Sequence, residues 1–127
     1  MIVVDASATL SALLNAGPAR TVLAREQLHA PQLLDFEVAA GLRRSVSTHH
    51  LEAGAGWTAL YVLRRLGIRR YPVFPLLTRV WELRENLSVS DASYVALAEL
   101  LGCSVLTADP RLAGAPGIRC PVTIVPR

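Results

Sequence analysis

The sequence predicts an α/β fold with a central, mostly parallel sheet, and three observations support this. Short apolar segments of strand length alternate with longer segments of helical periodicity along the whole chain. The chain has 127 residues, the size of one domain, so a single unit over residues 1–127 is expected. Hydrophobic residues make up 52% of the chain, yet no apolar run reaches the roughly 18 residues of a membrane span, which indicates a buried sheet.

Glycine, proline and small polar residues divide the chain into its elements. Pro18 suits the first turn of a helix, Ser90 is placed to cap a helix N-terminus, and Gly102 ends the helix that Ser90 begins. Gly54 and Gly56 are expected to interrupt a helical region. Helices are therefore expected at residues 6–15, 18–27, 32–47, 49–66, 76–87 and 91–101, and strands at residues 2–4, 28–30, 68–74, 103–107 and 122–125.

The basic residues are all of one kind, because the 13 are arginines and the chain has no lysine. Protein classes that depend on a lysine are excluded, among them haloacid-dehalogenase-like phosphatases, receiver domains and P-loop nucleoside triphosphatases. The formal net charge is +3; if four of the ten acids share one site, the other six stand against 13 arginines and leave +7 elsewhere. An acidic pocket on a basic body favours a phosphate-bearing polymer as the partner.

Two acidic residues directly follow predicted strands. Asp5 comes after the first apolar segment, and Asp109 comes after the segment at residues 103–107. Ligands of parallel α/β sheets bind beyond the carboxyl ends of the strands. These two carboxylates are therefore expected at the same rim of the sheet, although more than 100 positions separate them.

Helical periodicity selects two more acids. Glu37 shares an apolar stripe with the residues three and four positions before and after it, so it points into the protein or a cleft. Asp35 lies about 200° away around the same helix and should face water. Asp91 stands at the N-terminus of a helix that is apolar nearly all round, where the helix dipole favours its ionised form. Glu82 lies on a polar helix face and is expected at the surface.

Each of these acids has an ordinary explanation on its own, as a turn or capping residue. Their convergence at one rim of the sheet is what predicts a catalytic site. Each close pair of carboxylates costs roughly 4 kcal/mol at an effective dielectric constant of about 20. Mg²⁺ or Mn²⁺ relieves this repulsion because hard cations prefer oxygen ligands, and such a cation also lowers the pKa of a bound water. The predicted catalytic and metal-binding residues are Asp5, Glu37, Asp91 and Asp109.

Four segments of the chain carry a resemblance to a known family. They are Val3-Val4-Asp5-Ala6-Ser7, Ala30-Pro31 with Glu37 six residues on, Ser90-Asp91-Ala92-Ser93-Tyr94-Val95-Ala96-Leu97-Ala98-Glu99, and Leu106-Thr107-Ala108-Asp109. Through them nearly the whole chain resembles the PIN-domain family and, more narrowly, the VapC ribonuclease toxins of prokaryotic toxin–antitoxin pairs. The third and fourth segments are the most specific.

The resemblance implies a three-layer α/β/α sandwich and an endoribonuclease dependent on Mg²⁺ or Mn²⁺, with the same four acids at its site. It implies that Ser7 and Thr107 supply hydroxyl groups that support the quartet. Thr107 precedes Asp109 by two positions, so in an extended chain both side chains point the same way. Some relatives carry a further acid just after the fourth, where this chain has Pro110 and Arg111.

The resemblance also implies an RNA substrate, a small cognate antitoxin and commonly a homodimer, and no membrane association is expected. The first residues lack the pattern of a signal peptide, and two cysteines are too few for a disulfide framework, so a cytoplasmic protein is expected. The alternative is a catalytically weak or inactive PIN-like protein that binds nucleic acid or regulates. Three arginine pairs either contact RNA or an acidic partner, or are solvated helix faces: Arg43-Arg44, Arg64-Arg65 and Arg69-Arg70.

Overall fold

The computed structural model describes residues 1–127, and strands and helices alternate along them as expected. Two short 3₁₀ turns, Phe74–Leu76 and Pro110–Gly114, accompany the regular elements. The elements in chain order are β1 (Ile2–Val4), α1 (Ala6–Leu14), α2 (Pro18–Arg25), β2 (Leu28–Pro31), α3 (Leu33–Ser47), α4 (Ala53–Leu63), β3 (Arg69–Tyr71), α5 (Leu77–Glu82), α6 (Val89–Leu101), β4 (Ser104–Thr107) and β5 (Val122–Ile124).

The five strands form one parallel sheet in the order β3-β2-β1-β4-β5. The chain moves from β1 outward to β3 through α1–α4, and then returns through α5 and α6 to β4 on the other side of β1. Because parallel crossovers are right-handed, this reversal places α1–α4 on one face of the sheet and α5–α6 on the other. The predicted three-layer α/β/α sandwich with a parallel sheet is confirmed.

The centre of the sheet and α6 form the core. The three residues of β1 are at most 6% exposed, and α6 buries seven consecutive residues, Ala92–Ala98. Each fully buried leucine or valine contributes about 1.5–3 kcal/mol relative to an exposed one. The elements that carry the site acids therefore project from the most stable part of the fold.

The first turn of α6 differs from the prediction. The helix begins at Val89, and its N-cap is Ser88, whose hydroxyl oxygen accepts a hydrogen bond from the Asp91 backbone amide at 3.1 Å. The prediction that Ser90 caps this helix is wrong, because Ser88 and Asp91 have the three-residue spacing of a capping box. Asp91 consequently lies in the third helical position, and Gly102 ends the helix in the left-handed conformation, as expected.

Three further elements differ from the prediction by more than two residues. α4 spans Ala53–Leu63 instead of residues 49–66. α4 runs through Gly54 and Gly56 without interruption, and a Cβ at Gly56 would meet a Val46 side-chain carbon at 3.3 Å, so this glycine lets α4 approach α3 closely. β3 ends at Tyr71, since Pro72 follows and cannot donate to a strand ladder. α5 ends at Glu82, five residues earlier than expected, and hydrogen-bonded turns lead on to α6.

Large aromatic side chains usually pack in a core or an interface, but those of Trp57, Tyr61 and Trp81 lie outside the core. They are exposed by 68%, 49% and 65%, respectively. Their burial against a partner remains a prediction. None of the helices combines the length and apolar character required to cross a lipid bilayer.

Candidate active site

A cleft of about 420 Å³ opens at the carboxyl edge of the sheet, and all four predicted acids line it. Asp5 follows β1 and caps α1, whereas Asp109 follows β4, the neighbouring strand. Glu37 projects from α3, and Asp91 projects from the first turn of α6. The chain reverses its direction across the sheet between β1 and β4, which is where ligands of such sheets bind.

Asp5 is the most rigidly held of the four acids, because its side chain is 5% exposed and both of its oxygens accept hydrogen bonds. Oδ1 accepts from the Ser7 hydroxyl at 2.7 Å and from the Ala8 backbone amide at 2.8 Å, and the second bond caps α1. Oδ2 accepts from the Thr107 hydroxyl at 2.5 Å. The carboxylate is therefore fixed by neighbours from both α1 and β4.

The hydroxyl groups of Ser7 and Thr107 also hold the chain segment that follows β4. The Ser7 oxygen accepts from the Ala108 amide at 2.9 Å, and the Thr107 oxygen accepts from the Asp109 amide at 3.0 Å. The two hydroxyl oxygens lie 3.2 Å apart, but they do not bond to each other because each hydroxyl donates its hydrogen bond to Asp5. Both therefore orient Asp5 and position the backbone of Asp109, which is the geometry expected of supporting residues.

Burial and mutual repulsion disfavour the charged forms of two of these acids. Burial raises the pKa of Asp5 above its ordinary value against the opposing hydrogen bonds from Thr107, Ala8 and Ser7, and the negative charge of Asp91 adds to the rise. Burial likewise raises the pKa of Asp91, and the charge of Asp109 contributes. The acids are thus close enough to interact electrostatically, and a cation in the cleft would stabilise their ionised forms.

Glu37 reaches the cleft as its apolar stripe predicts, and a buried tyrosine holds it there. The Tyr94 hydroxyl donates a hydrogen bond to Glu37 Oε1 at 2.5 Å, and Tyr94 is 2% exposed. Burial, together with Glu37, raises the pKa of Tyr94 far above its ordinary range, so the phenol keeps its proton and remains a donor. Sequence reasoning assigned no role to Tyr94, although its position three residues after Asp91 places both on one helix face.

Asp35, two residues before Glu37, does not reach the cleft. Its side chain is 45% exposed, as a solvent-facing position predicts, but it is also paired with Arg70. The Arg70 guanidinium donates two hydrogen bonds to the Asp35 carboxylate, at 2.6 and 2.8 Å. Because Arg70 is paired with Asp35, it is less available to RNA than an unpaired arginine.

Asp109 lies in the cleft but is paired with a residue of its own turn. Its carboxylate accepts from the Arg111 amide at 3.0 Å and from the Arg111 guanidinium at 2.9 and 3.1 Å. These hydrogen bonds hold the pKa of Asp109 below its ordinary value, whereas the Arg111 side chain itself is 87% exposed. The fourth acid, Asp109, is thus neutralised by Arg111, an exposed arginine that stands where some relatives carry a further acid.

The four carboxylates share the cleft without forming a ready-made metal site. No group of three or more histidine, cysteine, aspartate or glutamate side chains stands close enough together to hold a metal ion. Two of the acids are engaged elsewhere, since Tyr94 holds Glu37 and Arg111 holds Asp109. The donor set nevertheless fits a hard divalent cation, because every charged donor is a carboxylate and the cleft contains no histidine or cysteine.

The fold and the cleft define a parallel α/β protein with four carboxylates at the carboxyl edge of its sheet. The chain belongs to the PIN-domain family, because the PIN domain family model matches residues 2–118. This confirms the resemblance that the sequence segments carry, and ribonucleases of this family generally use a divalent metal.

Proteins similar to this chain cover almost its full length. It is 56% identical over 127 residues to Ribonuclease VapC9 of Mycobacterium tuberculosis, with 100% of both chains covered. It is 42% identical over 128 residues to Ribonuclease VapC1 of the same species, covering 97% of this chain and 96% of the relative.

Two solved structures share the fold at lower identity. VapC20 of Mycobacterium tuberculosis, described as a sarcin-ricin loop cleaving toxin, matches with a TM-score of 0.68 and 21% identity over 94% of this chain and 97% of that one. A toxin–antitoxin complex from Klebsiella pneumoniae matches with a TM-score of 0.66 and 20% identity over 97% and 96% of the respective chains.

Proposed function

We propose that this chain is a VapC-type endoribonuclease, the toxin of a toxin–antitoxin pair, which hydrolyses RNA phosphodiester bonds at the acidic cleft. The observation that carries the proposal is the meeting of Asp5, Glu37, Asp91 and Asp109, from four different elements, in one cleft. Full-length similarity to proteins named VapC ribonucleases supports the same activity.

The four acids are the proposed ligands of Mg²⁺ or Mn²⁺. Carboxylate oxygens are the donors that these cations prefer, and burial raises the pKa of Asp5 and Asp91, an effect that a bound cation would oppose. When bound, the cation supplies charge stabilisation to the phosphate and makes a water molecule acidic enough to attack it. To hold the cation, Asp109 would have to release Arg111, whose side chain is exposed.

The residues of the chain contribute orientation more than proton transfer. The thirteen residues around the cleft include no histidine, cysteine or lysine, so no neutral side-chain base faces the acids. Ser7 and Thr107 fix the Asp5 carboxylate in one orientation, and Tyr94 fixes Glu37. Such fixed ligands reduce the reorganisation needed on reaching the transition state.

The proposed partners follow from charge and exposed apolar surface. The excess of arginines outside the cleft supports an RNA substrate. Phe36 and Trp57 on one face of the sheet, and Phe74 and Trp81 on the other, are 65–82% exposed, which leaves apolar surface on both faces that is available to a partner. We therefore propose a cognate antitoxin and a homodimer as partners. We further propose that the chain is a single 1–127 unit that acts in the cytoplasm.

The test is cleavage of a fluorescently labelled RNA by purified protein with Mg²⁺, Mn²⁺ or EDTA. We expect cleavage with either cation and none with EDTA. Asp5→Asn and Asp91→Asn should each reduce the rate by at least about 100-fold while circular dichroism stays unchanged. Glu82→Gln is the matched control, because Glu82 is an exposed acid outside the cleft.

Undiminished cleavage by Asp5→Asn would refute the assignment of the site. RNA binding by wild-type protein without cleavage under any of these conditions would favour the alternative, a PIN-like protein that binds nucleic acid without cutting it. Growth arrest on expression without a partner is expected of the toxin. Normal growth with abundant, active protein would refute the toxin role and leave the nuclease activity standing.

A further inference from the structure

The acidic cleft is lined by two arginines that form no ion pair with the four carboxylates, Arg127 and Arg44. Arg44 of α3 lines the same cleft as the acids, and its side chain is exposed. Arg44 takes part in none of the ion pairs of the structure, unlike Arg70, Arg79 and Arg111. Its guanidinium is therefore available to a ligand.

The position of Arg44 relative to the acids is set by helix geometry. Arg44 follows Glu37 by seven residues, so both lie on the same face of α3, about 10 Å apart along the helix axis. Gly41 lies between them, where a Cβ would approach Leu10 Cδ1 to 2.6 Å, so its lack of a side chain lets α3 pack closely against α1. This close packing brings Arg44 to the α1 wall of the cleft.

The adjacent residue, Arg43, points elsewhere. Successive helical residues are rotated by about 100°, and Arg43 lines a separate apolar recess beside Trp57, between α3 and α4. The Arg43-Arg44 pair, which the sequence treats as one basic unit, is thus divided by the fold between two surfaces.

We propose that Arg44 binds a phosphate of the RNA strand that flanks the scissile phosphate and so positions the strand across the acids. This inference rests on the proposed ribonuclease function. A strand entering the cleft brings negative charge towards four carboxylates, and a planar guanidinium that can form two parallel hydrogen bonds is suited to hold one phosphate away from them. Arg44 is a positioning residue, because it lies two helical turns from the nearest acid on its helix.

Binding is measured first, without cleavage, in the Asp5→Asn background with a labelled oligoribonucleotide that the wild-type protein cuts at one mapped site. Adding Arg44→Ala should weaken binding by about 5- to 10-fold and reduce the slope of log K against log salt by about one. Arg43→Ala should leave both values unchanged, and Arg44→Lys should restore the salt slope because it keeps the charge. Melting temperatures should agree within error, since the Arg44 side chain forms no ion pair.

A second measurement locates the phosphate. Neutral methylphosphonate linkages replace single flanking phosphates of the oligonucleotide, one at a time. One of these replacements should weaken binding to the Asp5→Asn protein, and the same replacement should have no further effect once Arg44→Ala is present. Equal losses in both proteins at every linkage would overturn the proposal, as would equal effects of Arg43→Ala and Arg44→Ala.

The two proposals fail in different ways. If wild-type protein cleaves RNA but Arg44→Ala behaves as Arg43→Ala, only the role of Arg44 is wrong. If wild-type protein binds RNA without cleaving it, the nuclease function is wrong, and the binding and salt-slope measurements, made on any bound oligonucleotide, still decide the role of Arg44. If RNA does not bind at all, both are wrong.

Discussion

Replacing Thr107 with valine should weaken the fold and the site together, because one buried hydroxyl serves both. Thr107 is fully buried, and its hydroxyl donates to Asp5 and accepts from the Asp109 amide. Valine keeps the shape of the side chain but offers neither bond. Asp5 then loses the only hydrogen bond to its Oδ2, and the backbone of Asp109 loses its anchor.

The expected cost follows from the two bonds. A hydrogen bond to a charged acceptor is worth about 1.5–3 kcal/mol, and a neutral amide bond about 0.5–1.5 kcal/mol, so Thr107→Val should reduce the free energy of unfolding by about 2–4 kcal/mol. For a chain of this size this corresponds to a decrease of roughly 10 °C in Tm. Thr107→Ser keeps the hydroxyl and loses one methyl group, at about 1 kcal/mol.

Chemical denaturation in EDTA measures both variants without a contribution from bound metal. RNA cleavage with Mn²⁺ should fall by about 10- to 100-fold in Thr107→Val, as is typical when a residue that orients a metal ligand is lost, and by much less in Thr107→Ser. If Thr107→Val is as stable as Thr107→Ser, the hydrogen bonds of the Thr107 hydroxyl do not stabilise the fold.

Three further substitutions test separate parts of the structure. Burial opposes ionisation of Glu99, but the Arg79 guanidinium and the Arg119 backbone amide together outweigh it and hold the pKa of Glu99 below its usual value. Wild-type protein should therefore be more stable than Glu99→Gln above about pH 4.5 and lose this advantage as the pH falls through the lowered pKa, and equal pH profiles in urea unfolding would contradict this. Arg111→Ala should tighten Mn²⁺ binding by about two- to fivefold in isothermal titration calorimetry, because Asp109 is released; weaker binding would mean that Arg111 helps to form the site. Gly102→Ala should cost about 1 kcal/mol in chemical denaturation, since Gly102 has φ 69° with open space around its Cα, and a neutral effect would argue against left-handed strain.

The positions of the four acids follow from two periodicities that the sequence displays. Strand ends fix Asp5 and Asp109, because the carboxyl ends of neighbouring parallel strands share one rim. The apolar stripe of α3 fixes the direction of Glu37, since a helix that packs on a sheet turns that stripe inward. These inferences needed only local patterns and the alternation of strands and helices.

The contacts that depend on tertiary packing could not be predicted in the same way. The bond between Tyr94 and Glu37 joins helices on opposite faces of the sheet, and nothing in the local sequence of either helix indicates it. The separation of Arg44 from Arg43 depends on which face of α3 meets α1 and which meets α4. The capping role of Ser88, by contrast, is indicated by its three-residue spacing from Asp91, although the prediction assigns the cap to Ser90.

The pairing of β1 with β4 has a consequence for synthesis of the chain. Asp5 is synthesised about 100 residues before Thr107, which holds it, and before Asp109, which completes the quartet. A translation product that stops before residue 104 has neither the strand nor the hydroxyl that orders the first acid. Such fragments therefore lack a complete cleft, and the site can assemble only after β4 has been synthesised.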